Sequence, residues 1–282
     1  MKIHVLIENT TTDTALTCQH GLSLLIEEGD KRILLDAGNS DAFLENARRM
    51  DVDLGHIDAA VLSHGHWDHS GGFAAFLSQD PARKLYIHEL ADKDYWSDAD
   101  ESEMHYIGIP EALKTDFDSQ IHRIYEKTEI LPGVWLLPHT TSGLERIGAR
   151  MHLYRMNAAG EIVPDDFAHE ISLVIDTTEG LCVFNSCSHA GVRAILSEVR
   201  EAFPGKPLFL FAGGLHMMGK KNGIPISAYS AEEIHEMAEF LRACGLKQVL
   251  AGHCTGAPAY EMLHAELGNM LKPLSTGLTY AF

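Results

Sequence analysis

Ser63-His64-Gly65-His66-Trp67-Asp68-His69-Ser70-Gly71-Gly72 is the stretch on which the reading of this chain turns. It follows Ala59-Ala60-Val61-Leu62, a short apolar run that reads as a buried strand, so the histidines stand on the loop at a strand end. His64 and His66 lie two apart and can point the same way from an extended loop to clasp one cation. Asp68 and His69 follow as the chain turns and can reach a second cation, at the separation of about 3.5–4 Å usual in two-metal sites. Imidazole and carboxylate are the common ligands of zinc and related borderline ions. A lone histidine is ordinarily a packed or capping residue. Three with an aspartate within six residues reverse that expectation.

Working outward, residues 3–7, 23–27 and 32–35 are short β-prone runs, the last two joined by the turn Glu28-Gly29-Asp30. Asp36-Ala37-Gly38 ends this hairpin, and Asp36 is placed to orient a ligand histidine from behind. Residues 41–50 read as a helix capped by Ser40, with Phe43, Leu44 and Ala47 on one face. Gly71-Gly72 opens a helix at 73–78, followed by a strand at 84–88. The second half repeats the logic, with strands at 122–125, 133–138, 150–155, 171–176, 181–186, 207–212 and 248–251. Its helices are expected at 192–202, 231–244 and 259–267. Two sets of strands with helices between them predict an α/β fold, a four-layer αββα sandwich. The acidic, mixed stretch at about 92–155, most clearly its part up to 118, reads as a lid-like insertion in one domain spanning 1–282.

The chain has 282 residues, 45% of them hydrophobic, which is ample for a large core. Its net charge is −18, from 22 basic and 40 acidic residues, so its surface repels nucleic-acid backbones. A local patch can still hold one phosphate, which leaves a small phosphorylated substrate open. The five cysteines are odd in number and irregular in spacing, which fits a reducing compartment rather than a disulfide framework. The start lacks the features of a signal peptide, and no stretch nears the roughly 18 apolar residues of a membrane span. A cytoplasmic setting without a membrane partner is expected; a homo-oligomer is left open.

Other strand ends carry metal-capable residues. Cys187 and His189 follow the strand at 181–186, and His253 follows that at 248–251 inside Gly252-His253-Cys254-Thr255-Gly256. His253 and His189 are read as ligands. His169, just before the strand at 171–176, is either a ligand or a capping or surface residue. His216, in Gly213-Gly214-Leu215-His216, is favoured for substrate contact over ligation. Cys187 is either a ligand or a small packed thiol.

The pattern His64-x-His66-x-Asp68-His69, preceded by Leu35-Asp36-Ala37-Gly38 and followed by Gly71-Gly72, resembles the metallo-β-lactamase superfamily. His20-Gly21-Leu22-Ser23, Asn185-Ser186-Cys187-Ser188-His189-Ala190-Gly191, Gly213-Gly214-Leu215-His216 and Gly252-His253-Cys254-Thr255-Gly256 narrow it. They resemble the branch of 7,8-dihydropterin-6-yl-methyl-4-(β-D-ribofuranosyl)aminobenzene 5′-phosphate synthase-like proteins. The likeness covers nearly the whole chain outside 92–155. It implies the αββα fold of that superfamily and two divalent cations, zinc by preference, with manganese or iron as alternatives. His64, His66 and a further histidine would hold one ion, and Asp68, His69 and His253 the other. His169 falls where the superfamily has its third histidine; Cys187 or His189 falls where it has a bridging acid. Ser186 and Ala190 stand where many branch members have Gly and Pro.

The expected chemistry is hydrolysis of a small phosphodiester, cyclic phosphate or ester by a metal-bound hydroxide. Asp68 would anchor the second ion and orient the water, and His216 would steady an oxyanion or protonate the leaving group. A synthase-like transferase is the first alternative, and a non-enzymatic metal or ligand sensor the second. A di-iron oxygen-reducing role fits less well, since it usually replaces the second motif histidine by Glu, and here that residue is His66.

Overall fold

The expected hairpin forms as strands Ser23–Glu28 and Lys31–Leu35, with Glu28 opposite Lys31 and the turn made by Gly29 and Asp30. Gly29 sits at φ +61°, a left-handed conformation that glycine adopts at no steric cost. The computed structural model describes residues 1–99 and 103–282; residues 100–102, within the stretch expected as a lid, lie outside the described residues. The chain forms two units. One comprises 1–127, 138–171 and 275–282; the other comprises 128–137 and 172–274.

In the first unit a seven-stranded sheet runs in the order Thr279–Ala281, Lys2–Ile7, Ser23–Glu28, Lys31–Leu35, Ala59–Val61, Leu85–His88 and Ile121–Ile124. From Lys31–Leu35 to Ile121–Ile124 the strands are parallel. Central parallel strands are covered on both faces, and Ala59–Val61 is accordingly apolar throughout and fully buried. Helix Ala42–Arg49 lays Phe43 and Ala47 into a core with Leu6, Leu34, Phe73, Phe76 and Ile87. Burial of each large side chain contributes roughly 1.5–3 kcal/mol. Asn46, on the same helix, donates to the carbonyls of Leu6 and Thr17 and so ties the helix to the sheet. Asp41, rather than Ser40, is the helix cap; the Ser40 hydroxyl accepts only a long bond from Ala42 N–H at 3.3 Å.

The 92–155 stretch is not one insertion. Ile121–Ile124 pairs with Leu85–His88 in this main sheet, and Val134–Pro138 joins the sheet of the other unit. Tyr95–Ser97, His105–Tyr106, Leu153–Met156 and Ile162–Pro164 form a separate four-stranded sheet. Residues 150 and 151, expected in a strand, instead finish helix Glu145–Met151, which stops at His152 with φ +59°.

The second unit has its own seven-stranded sheet, ordered Leu271–Pro273, Gln248–Ala251, Leu208–Gly213, Gly180–Phe184, Ile171–Thr177, Val134–Pro138 and Thr128–Leu131. The first four are parallel, so the loops after Gly180–Phe184, Leu208–Gly213 and Gln248–Ala251 gather at one sheet edge. Helix Ala231–Ala243 opens with a reciprocal cap between Ser230 and Glu233. Ser230→Ala is expected to cost about 1 kcal/mol of stability in a denaturant titration, with the metal content unchanged.

Candidate metal centre

In the first unit the motif hangs on Asp36, which is fully buried and held at φ +58°. Its Oδ1 accepts the Ser63 backbone N–H at 2.7 Å. Its Oδ2 accepts the Ser63 hydroxyl at 2.7 Å and lies 2.7 Å from His69 Nδ1. Because the single Ser63 proton goes to Asp36, the 2.8 Å contact between Ser63 Oγ and His64 Nδ1 requires the ring to donate. One carboxylate thus orients both rings through Nδ1, so Nε2 is the nitrogen each ring would turn toward a metal.

The rings cluster. His64 stands 4.5 Å from His66 and 4.3 Å from His69, centroid to centroid. His66 is buried, and burial, with His169 nearby, pushes its pKa down to about 3, so it is a neutral donor. Burial also pushes His69 down, but Asp68 and Asp36 outweigh it and raise its pKa to about 10. Asp68 Oδ2 faces two imidazoles, His69 Nε2 at 3.4 Å and His20 Nε2 at 3.2 Å. A carboxylate oxygen ringed by imidazole nitrogens is a donor set that fits a divalent cation. His20 enters the site in this way, beside Trp67 at 6.2 Å between ring centres.

His169, one of the expected ligands, stands behind the motif loop, where it, His66 and Asp165 each offer a ligand atom within 4.8 Å of the others. Its Nδ1 accepts the Gly65 N–H at 2.9 Å, and its Nε2 therefore donates to Asp165 Oδ2 at 3.0 Å. Both nitrogens are engaged, so the ring orients the His64-Gly65-His66 loop. Tyr95 stacks on it at 4.0 Å, and a Cβ on Gly65 would stand 2.4 Å from Ala91 O and 2.8 Å from Tyr95. Burial pushes the Asp165 carboxyl upward, but the His169 ring and the Phe167 N–H outweigh it and hold it below its ordinary value. Asp165→Asn is expected to weaken zinc binding about tenfold, read by chelator competition. Nearby, His139 Nε2 lies 2.8 Å from Glu170 Oε2, both buried, in a separate pair.

In the second unit, three loops hold Cys187 and His189, His216, and His253 and Cys254. Ser188, His216 and His253 all have positive φ, at 54°, 48° and 50°. Left-handed backbone at non-glycine residues is characteristic of built sites. The rings of His189 and His216 are 4.3 Å apart. The Cys254 thiol is raised by burial yet held well below its ordinary range by hydrogen bonds from Cys187 and His216 and by His253. The sequence reading gave no role to Ser63, Asp165 or Cys254. The signals were slight: a hydroxyl directly before His64, an aspartate four residues before His169, and a thiol directly after His253.

The family model described as the metallo-beta-lactamase superfamily matches residues 16–213. The chain belongs to the metallo-beta-lactamase superfamily. Its fold is the αββα fold of that superfamily, as its sequence resemblance implied. It is 27% identical to the 7,8-dihydropterin-6-methyl-4-(β-D-ribofuranosyl)-aminobenzene-5′-phosphate synthase of Methanocaldococcus jannaschii, over 100% of this chain and 97% of that protein. A solved metal-dependent hydrolase of the beta-lactamase superfamily superposes with a TM-score of 0.80 at 27% identity, covering 100% of this chain and 99% of its own. A solved diphosphatase of the PhnP family shares the fold at a TM-score of 0.54 and 16% identity, covering 100% of this chain and 97% of its own. Metallo-beta-lactamase superfamily members typically bind divalent metals, and the buried His and Asp groups described above suit such ions. Among the described residues, no helix is long and apolar enough to cross a membrane.

Proposed function

We propose that the chain is a dinuclear-metal hydrolase of a small phosphodiester, cyclic phosphate or ester. The observation that carries this is the Asp36 network, which anchors His64 and His69 through Nδ1 beside the buried His66 and Asp68. The proposed ligands of the first unit are His64 and His66 for one ion, and Asp68 and His69 for the other; His189 and His253 are the proposed ligands that the second unit carries. Zinc is the preferred ion, with manganese or iron as alternatives; such ions supply Lewis acidity and make water a nucleophile near pH ~7.

The chain's own residues do the rest. Asp36 and Ser63 hold the rings in one tautomer, and Asp68 is the proposed acceptor that orients the attacking water. His216 is the proposed donor to the leaving group. With a net charge of −18, the protein surface does not itself attract an anion, so the cations supply the local positive charge that a phosphorylated substrate requires. Homo-oligomer formation stays compatible with this scheme, and no nucleic acid or membrane enters it.

The test loads the purified chain with zinc, manganese or iron and screens phosphodiesters, cyclic phosphates and esters. Turnover is expected on at least one class, lost on chelation and restored by metal. A fully active chelated protein would overturn the proposal. A transferase reading is favoured by the full-length likeness to the synthase. It wins if a dihydropterin diphosphate and an aminobenzene riboside phosphate are joined while the hydrolytic panel stays silent.

A further inference from the structure

Two thiols in the second unit have no part in the proposed reaction, and they stand beside one imidazole, His216, that does. Cys187, His216 and Cys254 come from three different loops, each following a parallel strand, and each offers one ligand atom. These three atoms lie within 4.8 Å of one another. Both cysteines are only 3% exposed.

The loops are tied together rather than merely adjacent. Gly214 N–H donates to Ser186 O at 2.8 Å, and the Ser188 hydroxyl donates to Gly214 O at 2.7 Å. Leu215 N–H donates to Thr255 Oγ1 at 3.1 Å, and Met217 N–H donates to Cys254 O at 2.9 Å. A Cβ on Gly214 would stand 2.3 Å from Cys254 Sγ, so glycine there gives the thiol its space. His216 is held in left-handed backbone, and its Nδ1 is buried with no hydrogen-bond partner among the described residues. A packed thiol pair needs neither that strained histidine nor an open ring nitrogen.

We propose that Cys187, His216 and Cys254 form a further cation site, selective for a thiophilic ion such as zinc or copper(I). Two sulfurs and one imidazole are the donor chemistry such ions prefer, and three protein ligands leave a position for a fourth. Ligation is through thiolate, so any proton that Cys187 or Cys254 still carries passes to solvent on uptake. The site shares only His216 with the proposed reaction and does not depend on it. Its failure and the failure of the hydrolase reading are therefore separable.

The test is a titration of chelator-stripped protein with cobalt(II), under reductant and without oxygen. A near-ultraviolet thiolate-to-cobalt band is expected in the wild type and, at equal intensity, in the His66→Ala/Asp68→Ala variant. Cys254→Ser should remove at least half of it. The proposal is overturned if the wild type shows no such band, or if the band survives Cys254→Ser undiminished. It is equally overturned if the band disappears in the double variant, since the band would then depend on His66 and Asp68 and not on this cluster. Should Cys254→Ser fail to fold, by circular dichroism, alkylation of the wild type decides. Zinc must protect both Cys187 and Cys254, mapped by mass spectrometry against Cys182 and Cys244; protection of Cys187 alone overturns the proposal.

Discussion

The His66→Ala/Asp68→Ala variant is expected to lose metal-dependent turnover by at least about a hundredfold, with bound metal falling in parallel. His66 is a buried imidazole whose pKa is pushed down to about 3, so it is neutral, with its proton on one ring nitrogen and a lone pair on the other. Alanine removes that lone pair from a loop otherwise fixed by the Gly65–His169 bond. Asp68 is the carboxylate toward which His20 and His69 point, and its loss takes away one of the two carboxylates beside His69. Metal content by elemental analysis and turnover on the best substrate of the hydrolytic panel should fall together, in protein that still unfolds cooperatively. Full activity with a normal metal complement would end the functional reading.

The next largest effect is expected of Asp36→Asn. In the wild type, Ser63 N–H, the Ser63 hydroxyl and His69 Nδ1–H all converge on its two oxygens. An amide keeps one oxygen but turns two N–H donors toward groups that themselves donate. Either His69 turns an acceptor Nδ1 toward the amide and presents a protonated Nε2, or buried donors face each other. Zinc affinity should drop about 10–100-fold. Mismatched buried hydrogen bonds should cost about 1–3 kcal/mol of stability. Chelator competition and thermal melting measure the two effects separately; unchanged zinc affinity would show that Asp36 does not set the rings.

Much of this molecule was readable locally. The hairpin through Gly29, the apolar strand before His64 and the helix at Ala231–Ala243 depend on neighbours in sequence, and periodicity and turn chemistry reach that far. The cluster at His64–His69 was legible for the same reason, since its ligand types sit within one turn of chain. What escaped was set by distant partners. Whether His169 ligates or orients depends on Gly65, 104 residues away. The edge strand Thr279–Ala281 is defined by Lys2–Ile7 at the far end of the chain. The 92–155 stretch looked uniform because its composition is mixed, yet its strands are shared among three sheets. Ser63 and Asp165 reveal nothing in sequence, because a hydroxyl or carboxylate acquires its role only from the ring it meets.

Asp36 is a single acceptor shared by two imidazoles, one reached directly and one through a hydroxyl. Whatever draws electron density from one ring stiffens the bond to this oxygen and changes how strongly the other ring can donate. In the proposed dinuclear scheme, the affinities of the two seats become cooperative properties of one residue, and an engineer cannot retune either seat alone by altering it. Selective adjustment has to come from groups that touch one ring only, such as the Gly65–His169–Asp165 chain behind the motif loop.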